Sequence, residues 1–160
     1  GEHILSGLAK TMFGASNVGF HMAETYATID LDMPLTEEQL QRLETEANRA
    51  VQRNTPTETR VVTEQELESI ALRKRAKGLK GDEIRVVWCG GVDSCTCCGT
   101  HCAQSGEVGM IRITAHMNYK GGTRLWFAAC ALCRKRRKMQ LLWTSLPGAL
   151  ARSRKAYWKP

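Results

Sequence analysis

Apolar positions along this chain follow a helical spacing in some stretches and an alternating one in others. In EHILSGLAKTMF, Ile4, Leu5, Leu8 and Met12 fall on one helical face, and Gly14 follows as a stop, so the first predicted element is an amphipathic helix. NVGFHM and TYATIDLD then read as two short strands joined tightly at Ala23 and Glu24. In the second, Ala27, Ile29 and Leu31 alternate with Thr28, Asp30 and Asp32, as in a sheet with one wet face. Thr36-Glu37-Glu38-Gln39 after Pro34 is a capping box, in which the Thr hydroxyl and the Gln side chain satisfy each other's orphan backbone N–H groups. Leu40, Leu43, Ala47 and Val51 continue it as a one-faced helix to about Asn54.

TETRVV is predicted as a strand, and Thr63-Glu64-Gln65-Glu66 repeats the capping box ahead of a short stripe of Leu67, Ile70 and Ala71. The polar stretch KRAKGLKGD reads as a loop, and EIRVVWC as a strand apolar enough to be central. Farther on, Ile111, Ile113, Ala115 and Met117 alternate with Arg112, Thr114 and His116, and Gly121-Gly122 turns the chain into RLWFAA as a hairpin. The expected fold is α+β: helices packed on a largely antiparallel sheet.

Composition narrows the class. The chain has 160 residues, 42% hydrophobic and 24% charged, as expected of one soluble globular domain. Its apolar runs fall short of a membrane span, and no signal-peptide pattern opens it, so no membrane partner is expected. Seven cysteines are an odd number and they are bunched, which argues for ligand or core thiols in a reducing compartment, the cytoplasm. The net charge of +7 is unevenly spread. All 16 acidic residues lie at or before Glu107, while residues 134–160 hold 9 of the 23 Lys and Arg, leaving 14 in positions 1–133. Residues 1–133 are therefore read as the folded domain, and 134–160 as a basic tail outside it. Its RKRRK run near Trp143 and Trp158 pairs charge with stacking surface, which suits nucleic acid.

The chemistry concentrates in CTCCGTHCAQSGEVG, residues 95–109. Cys95 and Cys98 have the redox C-x-x-C spacing, but Cys97 lies between them and no helical stripe follows. Haem attachment would need a histidine directly after the second cysteine, and Gly99 or Thr100 stands there. Two metal readings stay open. One is a closed four-thiolate site from Cys95, Cys98, Cys130 and Cys133, which would make the chain a non-catalytic RNA-binding module. The other pairs Cys97 with His101 across a flexible Gly99 and takes His3, on the first helix, as third ligand. Three protein ligands and one open position are the arrangement of catalytic zinc.

The chain resembles the alanyl-tRNA editing proteins, freestanding relatives of the alanyl-tRNA synthetase editing domain. GEHILSG (1–7) and CCGTHCAQSGEVG (97–109) match that family's metal blocks, and NVGFHM, TIDLD and YKGGTRL follow in the family's order. The likeness runs from residue 1 to about 127; from Ala128 onward ACALCRKRRKMQLLW departs from the family pattern. The resemblance implies Zn2+ on His3, Cys97 and His101, and hydrolysis of the ester in serine- or glycine-mischarged tRNA(Ala). The family's H-x3-H would put a further histidine four residues before His3, ahead of Gly1, so water is expected to complete the shell, with Cys95, Cys98, Cys102 and His21 as the alternative fourth ligands.

A chain of this length leaves no room for an activation domain, so it is expected to act in trans, as a monomer or weak homodimer. Thr100, whose hydroxyl could meet a serine side chain, and His21, in the shared NVGFHM block, are the candidate catalytic residues. Lys120 and Arg124, flanking the Gly-Gly turn, are the candidates for tRNA phosphates.

Overall fold

A computed structural model describes residues 1–23, 26–75 and 83–129. Helix α1 (Glu2–Phe13) is followed by strands β1 (Asn17–Met22) and β2 (Ala27–Leu31), then helix α2 (Glu37–Gln52). Next come β3 (Glu58–Val62), the short α3 (Glu64–Ser69), β4 (Ile84–Cys89) and β5 (Asp93–Thr96). A 3-10 turn (Ser105–Val108) leads into β6 (Ile111–Tyr119) and β7 (Gly122–Ala129). The class is α+β, and the named strands among the described residues all pair antiparallel.

The strands form two sheets rather than one. One has the order β1-β2-β7-β6 and the other β3-β4-β5, with β4 central as its apolar sequence predicts. Both predicted capping boxes are present: Thr36 with Gln39 starts α2, and Thr63 with Glu66 starts α3. Helix α1 stops at Gly14, in the left-handed conformation a Cβ disfavours.

The main core lies between the two long helices and one face of the four-stranded sheet, where Leu5, Leu40 and Leu43 meet Ile29, Ile111 and Leu125. Side chains of α2 also fasten the sheet edge. Asn48 exchanges two hydrogen bonds with the backbone of Ile111 (2.7 and 3.0 Å), and Glu44 accepts from the Ile113 N–H at 2.6 Å. These satisfy backbone groups that β6, an edge strand, would otherwise leave open. The smaller sheet has its own core of Val62, Leu67, Ile84 and Val86.

Two hairpin loops differ from the sequence expectation. The β6–β7 loop is Lys120-Gly121, with φ of 50° and 80°, and Gly122 already pairs with Tyr119 as the first residue of β7. The backbone twist of a two-residue hairpin calls for positive φ at both positions, so the turn sits one residue earlier than Gly121-Gly122 suggests. The sequence reading places no strand between EIRVVWC and Ile111, yet β5 stands there and runs into the cysteine-rich stretch as far as Thr96. It is reached from β4 through Gly90, Gly91 and Val92, with both glycines at positive φ (59° and 67°). That tight reversal sets Cys89 directly opposite Asp93. It lies hard against α1, since a Cβ on Gly7 would come within 2.3 Å of the Val92 carbonyl oxygen.

Candidate metal centre

Alternation along β5 puts Asp93 and Cys95 on one face, and the cross-strand register adds Cys89 to it. This face turns toward the first turn of α1, where His3 meets it. His3 Nδ1 lies 2.7 Å from Asp93 Oδ2 and 3.4 Å from Cys95 Sγ. The Asp93 side chain is fully buried, and its second oxygen is held by Arg73, which donates to both carboxylate oxygens. Burial alone would raise the Asp93 pKa, but the hydrogen bonds from His3 and Arg73 outweigh it and hold the carboxyl below its ordinary value. Asp93 is thus an anion that accepts from His3 Nδ1–H and leaves the lone pair of His3 on Nε2.

That Nε2 faces His101, whose own Nε2 is 3.1 Å away across 98 positions of sequence. Burial, then the neighbouring His3 and Arg85, lower the His101 pKa and favour the neutral ring. Arg85 on β4 holds the loop that carries His101. Its guanidinium donates to the carbonyls of Cys97 and Gly99 at 2.8 Å each, and reaches His101 Nδ1 at 3.5 Å. Glu2 adds a carboxylate on the same side, with Oε2 3.7 Å from His3 Nε2. Its other oxygen accepts from Ser6 and Asn17.

Two groups of donor atoms lie close enough to share an ion: His3 with Cys89 and His101, and His3 with Asp93 and Cys95, the atoms of each within 4.8 Å of one another. Their chemistry separates them. In the second, Arg73 already occupies Asp93 with a full positive charge, which opposes a cation. In the first, two imidazole nitrogens converge with a sulfur, the ligand types zinc prefers. Two nitrogens bound 2.0–2.1 Å from one tetrahedral zinc lie roughly 3.3 Å apart, close to the observed 3.1 Å. The Asp93–His3 hydrogen bond completes the carboxylate–histidine pairing that orients metal-binding imidazoles. The residues fit a zinc ion.

The predicted site residues are distributed unevenly around this point. His3 and His101 converge. Cys97 belongs to neither donor group, and its Sγ accepts from the Gly99 N–H at 3.4 Å. Thr100 is exposed beside His101. His21 is exposed on edge strand β1, opposite Thr28, and also stands outside both groups. Arg124 is committed to Asp30 through two hydrogen bonds (2.6 and 2.7 Å) and lies 3.8 Å over the Tyr119 ring. Lys120 is exposed at the hairpin tip, 5.2 Å over the same ring.

Cys130, Cys133 and the basic tail lie outside the described residues. Among the described residues the five cysteines are free thiols, and no helix is long and apolar enough to cross a membrane.

Sequence reasoning missed Cys89, Asp93 and Arg73. The signal for the first two was the Gly90-Gly91 pair between EIRVVWC and VDSCT, a hairpin mark that would have set Cys89 against Asp93. Arg73 follows the short helical stripe with no periodicity, and nothing in the sequence singles it out.

Comparison with known proteins gives a consistent grouping. Residues 84–125 match the family described as the threonyl and alanyl tRNA synthetase second additional domain. The chain is 32% identical over 117 residues to the alanyl-tRNA editing protein Aarsd1-A of Xenopus laevis, covering 71% of this chain and 28% of that protein. It is 33% identical over 129 residues to the alanyl-tRNA editing protein AlaX-L of Pyrococcus horikoshii, covering 79% of this chain and 31% of the relative. Similarity to an alanine–tRNA ligase of Gluconobacter oxydans is 35% over 106 residues, 62% of this chain and 12% of the ligase. The chain thus spans about three-tenths of the length of the editing proteins it matches.

Proposed function

Because the chain belongs to the alanyl-tRNA editing family, we propose that it hydrolyses the ester of mischarged tRNA(Ala), with serine and glycine as the amino acids removed, and that it does so with zinc. The observation that carries this reading is the convergence of His3 and His101, Nε2 to Nε2 at 3.1 Å, on a face bearing cysteine sulfur. His3 and His101 hold the ion, and Cys97 is the sulfur that the C-x3-H spacing assigns to it. When bound, zinc polarises the ester carbonyl and brings the pKa of its water toward neutrality.

The protein's own groups do the rest. Asp93, fixed by Arg73, keeps the His3 proton on Nδ1 and the lone pair on Nε2. Arg85 fixes the loop carbonyls on either side of Cys98, which sets the position of His101. An aminoacyl ester is already activated, so a carbonyl held in place needs little further assistance. Thr100, exposed at the end of that loop, presents a hydroxyl to a serine side chain, and the exposed His21 on β1 is assigned to substrate contact.

The tRNA is held by phosphate contacts from Lys120, Arg124 and the basic tail of residues 134–160, which lies beyond an editing domain of residues 1–133. Arg124 already pairs with Asp30, so Lys120 carries the larger share of the hairpin's attraction. The five free thiols among the described residues suit work in the reducing cytoplasm. Hydrolysis of Ser-tRNA(Ala) by the wild-type chain and by His101→Ala tests the reading: the variant is expected to lose at least a hundredfold in rate, and equal rates would overturn it.

A further inference from the structure

We propose that Cys89 is a metal ligand: its sulfur joins a ring nitrogen from each of His3 and His101 in holding the ion. The inference rests on the editing-site reading for the presence of an ion, but not for the choice of sulfur. A loop motif of the form C-x3-H names Cys97, and Cys89 stands eight positions before it, outside any C-x-x-C or C-x3-H spacing. Only the fold brings it to the site.

Three separate elements supply the three donors. His3 comes from the first turn of α1, Cys89 from the last residue of β4, and His101 from the loop after β5. The donor atoms lie within 4.8 Å of one another, and the donors of one tetrahedral zinc lie roughly 3.3–3.6 Å apart, so side-chain adjustment of about an ångström closes them on one ion. Cys89 is placed with little freedom. It is 7% exposed, it pairs with Asp93 across the tight Gly90-Gly91 reversal, and Asp93 in turn holds His3. A ligand fixed at a strand end loses little entropy on binding, whereas Cys97 sits in a loop and its sulfur accepts from that loop's own Gly99 N–H.

The remaining buried thiol, Cys95, is a poorer donor to the same ion. It contacts His3 on the Nδ1 side, next to the Arg73–Asp93 pair, where a positive charge already stands. Cys89 lies with the two nitrogens instead. With His3, Cys89 and His101 as the fixed ligands, the loop sulfur of Cys97 shares the fourth position with water, which keeps that position open to exchange.

Cobalt substitution reads this directly, because thiolate-to-cobalt charge transfer in the near ultraviolet scales with the number of sulfur ligands. The full chain, Cys89→Ser, Cys97→Ser and the double variant are loaded with Co2+, with far-ultraviolet circular dichroism as the fold control. Cys97→Ser is expected to keep a charge-transfer band, Cys89→Ser to lose at least half of the wild-type intensity, and the double variant to lose the band. A band abolished by Cys97→Ser alone, or unchanged in Cys89→Ser, overturns the assignment while leaving the editing site intact. Cobalt that binds to none of the four proteins overturns both readings. Should Cys89→Ser fail the fold control, the band in Cys97→Ser still decides, since that substitution changes a loop residue.

Discussion

His3 Nδ1 lies 2.7 Å from Oδ2 of Asp93, a carboxylate with no exposed side-chain surface and with Arg73 bound to both of its oxygens. The pair joins the first turn of α1 to β5, and so ties the histidine of one motif to the strand that leads into the other. Removing the charge of Asp93 should therefore change both the fold and the ion site. Asp93→Asn keeps the shape but leaves Arg73 as a buried cation without its partner, a loss of about 3 kcal/mol in stability. It also releases the tautomer of His3, and zinc affinity should fall about 10- to 100-fold, the usual effect of removing an outer carboxylate from a metal-bound histidine. Chemical denaturation and competition with a chromophoric chelator measure the two effects; unchanged zinc affinity would count against His3 as a ligand.

Gly7 is where α1 touches the β4–β5 loop, and a Cβ there would meet the Val92 carbonyl oxygen at 2.3 Å. Gly7→Ala should destabilise the fold by about 1–3 kcal/mol, the range for overpacking a tight contact. Because the helix must move off the loop to make room, His3 should also move away from Asp93. A fall in metal affinity that accompanies the fall in stability is the expected signature, and a loss of stability alone would separate helix packing from the site.

Asp30 is held below its ordinary pKa by its hydrogen bonds from Arg124. A carboxylate shifted downward stabilises the folded state fully at pH values above its unfolded pKa of about 4, and that contribution disappears as the pH falls through the lower folded value. The gap in melting temperature between wild type and Asp30→Asn should therefore be widest near neutral pH and close progressively in acid below pH 4. A gap independent of pH would show that the pair acts through shape rather than charge.

Thr100 stands exposed next to His101, within the loop that Arg85 holds. If its hydroxyl meets the serine side chain of the substrate, Thr100→Val should reduce the preference for Ser-tRNA(Ala) over Ala-tRNA(Ala) about fivefold, as one hydrogen bond of about 1 kcal/mol would imply. Parallel deacylation of the two esters measures it, and an unchanged ratio would remove Thr100 from substrate choice.

Elements whose evidence is local were legible from the sequence, and those that depend on distant pairing were not. The capping boxes at Thr36 and Thr63, the stripe on α1 and the alternation along β6 each declare themselves within ten or so residues. The split into two sheets does not, because β3 and β4 are separated by a long polar stretch and only their register shows that they pair apart from β2 and β7. At the site, His3 and His101 stood out as polar residues in short motifs with known chemistry. Cys89 closes an apolar strand and looks like core, which by burial it also is. Arg73 and Asp93 are ordinary charges in the sequence, and become notable only when folding removes both from water.

We propose that this chain uses a metal on His3 and His101 to clear mischarged alanine tRNA. The rate of Ser-tRNA(Ala) deacylation, compared with Ala-tRNA(Ala) and measured before and after chelation and zinc restoration, tests it most directly. Selective hydrolysis that is lost on chelation and returns with zinc is the predicted result. Hydrolysis indifferent to zinc, or none with zinc present, would contradict it.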